Sequence, residues 1–227
     1  MRKIKILSLL LLVVMLLSCT SCKRISQSKF LDIVNSPMEN YSCEMQVKMK
    51  MKMAGQSVVV PIELYLEVDE EEVYTSMEVQ GQSAKVYYKI VGDKAEMWAN
   101  DGYGWKKQSN ISLEEVGTQA ILPQEKIKKG DFKYKKGVWV GNVDKISEKL
   151  EDVVKQNLEA MQSMGGLEDV DFELELYNIT IEDEEISKVE MEISFEMVIQ
   201  GQSVDVTAKY EIDFSDIGST KVTKPNA

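Results

Sequence analysis

The sequence predicts an α+β fold in which a single antiparallel sheet carries helices on its apolar face. Three patterns support this. Met45, Val47, Met49, Met51 and Met53 alternate with Gln46, Lys48, Lys50 and Lys52, and beyond Gly55-Gln56-Ser57 the alternation resumes as Val58, Val60, Ile62, Leu64, Leu66 and Val68. Near the other end, Val189, Met191, Ile193, Phe195, Met197 and Ile199 lead through Gly201-Gln202-Ser203 into Val204, Val206, Ala208, Tyr210, Ile212 and Phe214. A two-residue period marks a strand with one buried face. Between these hairpins Ile146, Leu150, Val153, Val154, Leu158, Met161 and Met164 recur at three- and four-residue spacing, the stripe of an amphipathic helix over Asp144–Met164.

In chain order, the first element is a secretory signal over residues 1–18. Met1-Arg2-Lys3-Ile4-Lys5 is basic, and Ile6–Leu17 is an apolar run broken only by Ser8. That run is well short of the ~20 residues that cross a bilayer as a helix, so it reads as a removed export signal and not as a permanent span. Leu16-Leu17-Ser18-Cys19 resembles the lipobox of bacterial lipoproteins, where the cysteine thiol takes a diacylglycerol and the chain is cut before it. The resemblance implies a lipidated Cys19 that holds the protein on the outer face of the cell membrane. Two acyl chains, at about 0.8 kcal/mol per buried methylene, hold where a single chain would leave. Cys22, after Thr20-Ser21, fits the pattern less well. Residues 19–29 then read as a polar tether with Lys23-Arg24 near the head groups, and the folded domain is expected over residues 30–227.

A short helix is expected before Pro37. After the first hairpin, Val73–Val79 and Ala84–Ile90 form a second about Gly81-Gln82-Ser83, and short runs around Met97 and Tyr103-Gly104-Trp105 flank the turn-forming Asn100-Asp101-Gly102. Gly-Gln-Ser thus stands at three turns, a weak repeat that reads as turn chemistry because glycine reaches positive φ without steric cost. The acidic loops Asp69–Glu72 and Glu182–Glu185 lack the spacing of a calcium loop and read as solvated strand ends. Another helix is expected near Ser112–Leu122. The long helix starts at a cap on Asn142 or Asp144 and stops at Gly165-Gly166.

Composition narrows the function. The net charge is −11, and the signal contains Arg2, Lys3 and Lys5 but no acidic residue, so the mature chain is more acidic still. With no basic stripe to neutralise phosphates, nucleic acid is not an expected partner. The chain has no histidine, which removes His-dependent nucleophile triads and imidazole zinc sites; no cofactor and no metal are expected, and the chain reads as a binding protein rather than an enzyme. Of three cysteines, Cys22 and Cys43 remain after lipidation, a pair that an exported location would permit to bridge without forming a framework.

The lipobox, short helix, long Met-rich alternating strands and mid-chain helical insertion together resemble lipoproteins of the LolA/LppX-like superfamily. Tyr41–Met53, Tyr87-Tyr88, Tyr103-Gly104-Trp105-Lys106-Lys107 and Lys221-Val222-Thr223-Lys224-Pro225 are similar to an uncharacterised Gram-positive lipoprotein group within it. The resemblance covers about residues 30–227. It implies a highly curved sheet forming an unclosed half-barrel, helices over the concave face, and acyl chains of lipids or lipoproteins held against that face.

On that reading Met45, Met49, Met51, Val60, Ile62, Leu64, Met191, Ile193, Phe195 and Met197 contact a lipid or other hydrophobic ligand. Leu150, Val154, Leu158 and Met161 line a lid helix. Flexible, polarizable methionine suits guests of variable shape, although on an inner strand face it also serves as ordinary core. Two other readings stay open. Met49, Met51 and Met53 share a strand face and offer soft sulfur to Cu(I), but they alternate with lysines and no Cys or His joins them. Alternatively the domain is an envelope sensor or protein-interaction module without a ligand cavity, with Tyr103, Trp105 and Trp139 as candidate exposed aromatics.

Overall fold

A computed structural model describes residues 25–53, 55–92, 94–112, 125–162, 172–199 and 202–225. Two helices, α1 (Gln27–Val34) and α2 (Val143–Gln162), accompany eleven strands. These are β1 (Tyr41–Met53), β2 (Gln56–Val68), β3 (Glu72–Val79), β4 (Gln82–Val91), β5 (Lys94–Asn100), β6 (Trp105–Ser112), β7 (Phe132–Lys135), β8 (Val138–Gly141), β9 (Phe172–Glu182), β10 (Glu185–Ile199) and β11 (Gln202–Ser215). All lie in one antiparallel sheet, ordered β6-β5-β4-β3-β2-β1-β11-β10-β9-β8-β7. The two ends of that order, β6 and β7, do not pair with each other among the described residues, and the sheet is an open half-barrel.

The order follows from hairpin chemistry. Every neighbouring pair is sequential except β1–β11, which joins the two halves of the chain, with Met45 opposite Ile212 and Met49 opposite Ala208. Several hairpins turn on two consecutive left-handed residues: Gln80-Gly81, Lys136-Gly137 and Asp183-Glu184. That geometry matches the right-handed twist of the strands it joins. At Asn100-Asp101-Gly102 the Asn100 side chain accepts hydrogen bonds from the Gly102 and Gly104 amides at 2.9 and 3.2 Å.

Helix α1 starts at Gln27, inside the stretch read as tether, because Ser26 caps it by accepting from the Lys29 amide at 3.2 Å. Phe30 and Val34 are its buried side chains. Helix α2 follows β8 directly, and Asn142 is its cap: its carbonyl accepts from Ile146 at 2.9 Å and its side chain from Lys145 at 3.4 Å. Gly141 just before it is packed so closely that a Cβ there would lie 2.8 Å from the Tyr177 carbonyl oxygen. Lys149, 8% exposed, stands 3.8 Å from buried Asp131 and donates to the Lys126 carbonyl at 3.0 Å, tying α2 to the loop ahead of β7.

Strands β7, β8 and β9 have no counterpart among the sequence expectations. The first two are four residues long, too short to show a period, and β9 carries a register shift opposite Glu192/Ile193 that breaks its alternation. Trp139, a candidate exposed aromatic, is 3% exposed. It sits on β8 stacked on Phe30 at 4.1 Å between ring centroids, within the core that α1 closes. Of the helix expected at Ser112–Leu122, Ser112 ends β6 and the remainder lies outside the described residues, as do Cys19, Cys22, Gly165, Gly166 and Gly201.

Candidate ligand-binding face

The register assigns every inner-face residue. On β1 these are Cys43, Met45, Val47, Met49 and Met51, opposite Leu66, Leu64, Ile62, Val60 and Val58 on β2. Across β11 the row continues as Phe214, Ile212, Tyr210, Ala208 and Val206. On β10 it runs through Val189, Met191, Ile193, Phe195 and Met197. Beyond β2 the face is Val73, Thr75, Met77 and Val79, then Ala84, Val86 and Tyr88, then Ala95, Met97 and Ala99. Lys48 and Lys50 point the other way and are exposed. One face of β1–β5, β10 and β11 therefore carries no charged side chain in these paired rungs.

Burial keeps the titratable groups near this face neutral. Desolvation pushes the Cys43 thiol up to about 12 and, with a contribution from Cys43, the Tyr41 phenol to about 12. Burial likewise raises Tyr88, Tyr177 and Tyr210. An apolar surface whose titratable groups are held neutral suits hydrocarbon.

Coverage of this face is uneven. Helix α2 packs on β9 and α1 on β10. There Ile146, Leu150 and Val154 join Phe30, Ile179, Ile193 and Val206 in one buried cluster. Toward the β1–β2 tip and β3 the described helices do not reach: Met53 is 43%, Val58 55% and Met77 40% exposed. Val58, expected beneath the helices, is thus open, and it lies on the part of β2 that extends past the end of β3. Met45, Met49, Met51, Ile62, Leu64, Met191 and Met197 are partly buried against the cluster, and Ile193 and Phe195 belong to it. Val60 is half-buried. Leu158 and Met161 lie on α2, with side chains outside the description. Met49, Met51 and Met53 do share one face of β1, where Met49 and Met51 are flanked by Val60, Val58, Ala208 and Val206 rather than by further sulfur. No group of three or more His, Cys, Asp or Glu that would hold a metal occurs among the described residues.

The outer face differs in kind. A pocket of about 220 Å³ there is lined by Gln46, Lys48, Leu176, Glu190, Glu192, Lys209 and Glu211 among others. Two ion pairs form there, Lys209 with Glu192 at 2.8 Å and Lys188 with Glu211 beside the pocket. Further along, Tyr65, Tyr74, Tyr87, Trp98, Trp105 and Val222 form a second cluster. The C-terminal segment clasps it: Thr223 donates its amide to Glu67 at 2.5 Å and its hydroxyl at 3.1 Å, and Lys224 reaches Glu72 at 2.9 Å. Sequence reasoning missed this cluster. Its signal was the tyrosines and tryptophans at the polar phase of β2–β6.

No protein family matches the chain, and no curated protein matches it. Among solved structures, a LolA superfamily protein from Nitrosomonas europaea is similar over 88% of this chain and 96% of its own, at 9% identity and a TM-score of 0.27. A putative outer membrane lipoprotein-sorting protein domain from Vibrio parahaemolyticus is similar over 88% and 93%, at 9% identity and 0.26. Lipovitellin, described for its lipid–protein interactions, is similar over 85% of this chain at 10% identity and 0.35, and the chain spans only 26% of its length.

Proposed function

We propose that this protein is an extracytoplasmic lipoprotein, anchored through Cys19, that holds acyl chains of a lipid or similar hydrophobic ligand against the inner face of its sheet. The observation that supports this is the extent of the uncharged inner face relative to its cover. An apolar face this wide favours burial against something, and while its middle, through Val47, Leu66, Ala208 and Ile212, is buried in the core that contains Phe30, Ile146 and Leu150, it stays open toward the β1–β2 tip and β3. In this reading α2 is the lid, with Leu150 and Val154 seated on the core and the stripe through Leu158 and Met161 meeting the guest. No catalytic step is assigned to this face.

Uptake of a fluorescent fatty acid by wild type and variants tests this directly. Val60→Trp fills the inner face beside Met49. It should lower uptake severalfold while costing no more than about 1–3 kcal/mol, the scale of overpacking in a filled site. Lys50→Trp, on the opposite face of the same hairpin, should leave uptake unchanged. Equal uptake by Val60→Trp and wild type would remove the ligand from this face and favour the protein-interaction reading. Anchoring is tested separately: Cys19→Ala should leave the chain unprocessed or release it from the membrane fraction, and normal processing with full retention would contradict a lipid on that thiol.

A further inference from the structure

The two ends of the sheet differ in charge. Hairpins β1–β2 and β3–β4 turn at one end, through the uncharged Gly55-Gln56-Ser57 and Gly81-Gln82-Ser83, whereas the other end carries the acidic turns Asp69–Glu72 and Glu182–Glu185. Residues 45–62, between Glu44 and Glu63, hold Lys48, Lys50 and Lys52 and no acidic residue, in a chain that has 38 of them. The three lysines are exposed on the outer face of β1 and follow one another toward the tip at roughly 6.6–6.8 Å. Their partners across β2 are Pro61, Val59 and Ser57, none of them charged. Across β11 they stand opposite Lys209, Thr207 and Asp205. Glu192 holds Lys209, and Glu211, lowered first by Lys188, also feels Lys48. Lys50 and Lys52 form no ion pair among the described residues. The same tip is apolar on both faces: Met53 and Val58 on the inner face are 43% and 55% exposed, and Val59 on the outer face is 57% exposed.

We propose that the β1–β2 tip docks on an anionic lipid bilayer, with Met53, Val58 and Val59 entering the interface and Lys48, Lys50 and Lys52 lying along the phosphates behind them. Charge complementarity selects the negative surface, since a lysine near such a bilayer is attracted to it while its stem rests on apolar atoms. Apolar exposure on both faces of one projecting hairpin selects lipid, which surrounds an inserted tip on every side, whereas a protein groove would have to be built around it. The acidic turns do not cancel the attraction. They stand about 40 Å away along a thirteen-residue strand, several times the ~8–10 Å over which salt screens a charge. On the proposed Cys19 leash, residues 19–25 extend to roughly 24 Å, so an upright domain points the tip outward and a tilted one lays it on the same bilayer; docking selects the tilted one. The contact stands whether or not the inner face holds a ligand.

Residues 25–225 contain every described element and both buried clusters, so the chain from Ile25 onward suits vesicle flotation at low salt. A chain of net charge −11 should by its total charge avoid anionic vesicles. It should nevertheless float with vesicles of equal phosphatidylglycerol and phosphatidylcholine, not with phosphatidylcholine alone, and be released as salt rises. Each lysine at such a surface is worth about fivefold in binding, so Lys50→Gln with Lys52→Gln should lower it more than about tenfold. Val58→Ser with Val59→Ser should weaken it too, with circular dichroism unchanged in both variants. A polarity-sensitive fluorophore on Val59→Cys should shift to the blue on binding, and one on Glu70→Cys, exposed just beyond the other end of β2, should not; Cys43 is buried. No preference for the anionic vesicles, binding indifferent to the lysine pair, or equal shifts at the two labels would each overturn the proposal. So would inorganic polyphosphate binding the chain as tightly as the vesicles do, since the lysines would then serve a soluble polyanion. None of these results bears on acyl-probe uptake by the inner face.

Discussion

Glu72 shows how single side chains hold the outer face together. Burial alone would raise its pKa, but hydrogen bonds from Lys224 and Tyr87 more than offset that and hold it below the ordinary 4.5. A carboxylate depressed in the folded state stabilises fully above its unfolded pKa, and that stability is lost as pH falls through the folded value. The clasp of the C-terminal segment over the Tyr74–Tyr87 cluster should therefore stand at neutral pH and loosen below about 4.5. Hydrogen exchange of residues 216–225 against pH should show this opening, and Glu72→Gln should remove its acid dependence. Burial and a hydrogen bond to Glu67 push neighbouring Tyr65 up to about 12, so it stays a donor throughout. Nothing in the local sequence announced this arrangement. Glu67 reads as one more outward-facing acid on β2, and only the fold brings Thr223 to it across 156 residues.

Among the elements, periodicity decided what was legible. The two long hairpins were readable to within a few residues because thirteen or more alternating positions fix the phase, and a one-residue slip would have turned Lys48 and Lys50 inward. The helix over Asp144–Met164 was readable for the same reason at period 3.6, and Asn142 is the cap that starts it. Strands β7 and β8 were not, since Phe132–Lys135 and Val138–Gly141 are too short to alternate, and Trp139 was misplaced with them. The junction of β8 and α2 depends on Gly141, whose lack of a side chain lets it lie against the Tyr177 carbonyl. Gly141→Ala should destabilise the protein by about 1–3 kcal/mol, the usual range for overpacking. A urea midpoint lowered with unchanged slope would show it, and an unaltered midpoint would mean that the junction yields freely.

At the scale of the whole molecule, the sheet's two faces divide the work. The outer face is a lattice of paired charges and a clasped aromatic cluster; the inner face is uncharged from β10 through β5 and only partly covered by described helices. The sequence could show that such a face exists, since alternation fixes its phase, but it could not show where the helices would sit on it, because that depends on contacts far apart along the chain. Chain direction adds a constraint. Helix α1 begins beside the Asp183-Glu184 turn, where Lys29 meets Glu184 at 2.9 Å, so a lipid leash on Cys19 would enter at the acidic end and leave the β1–β2 tip pointing outward. If the inner face holds acyl chains, native mass spectrometry of the mature protein purified from its own cells should find adducts of lipid mass on the wild type that are depleted in Val60→Trp; a bare protein in both cases, with no more acyl-probe binding than an unrelated acidic protein, would rule such a ligand out.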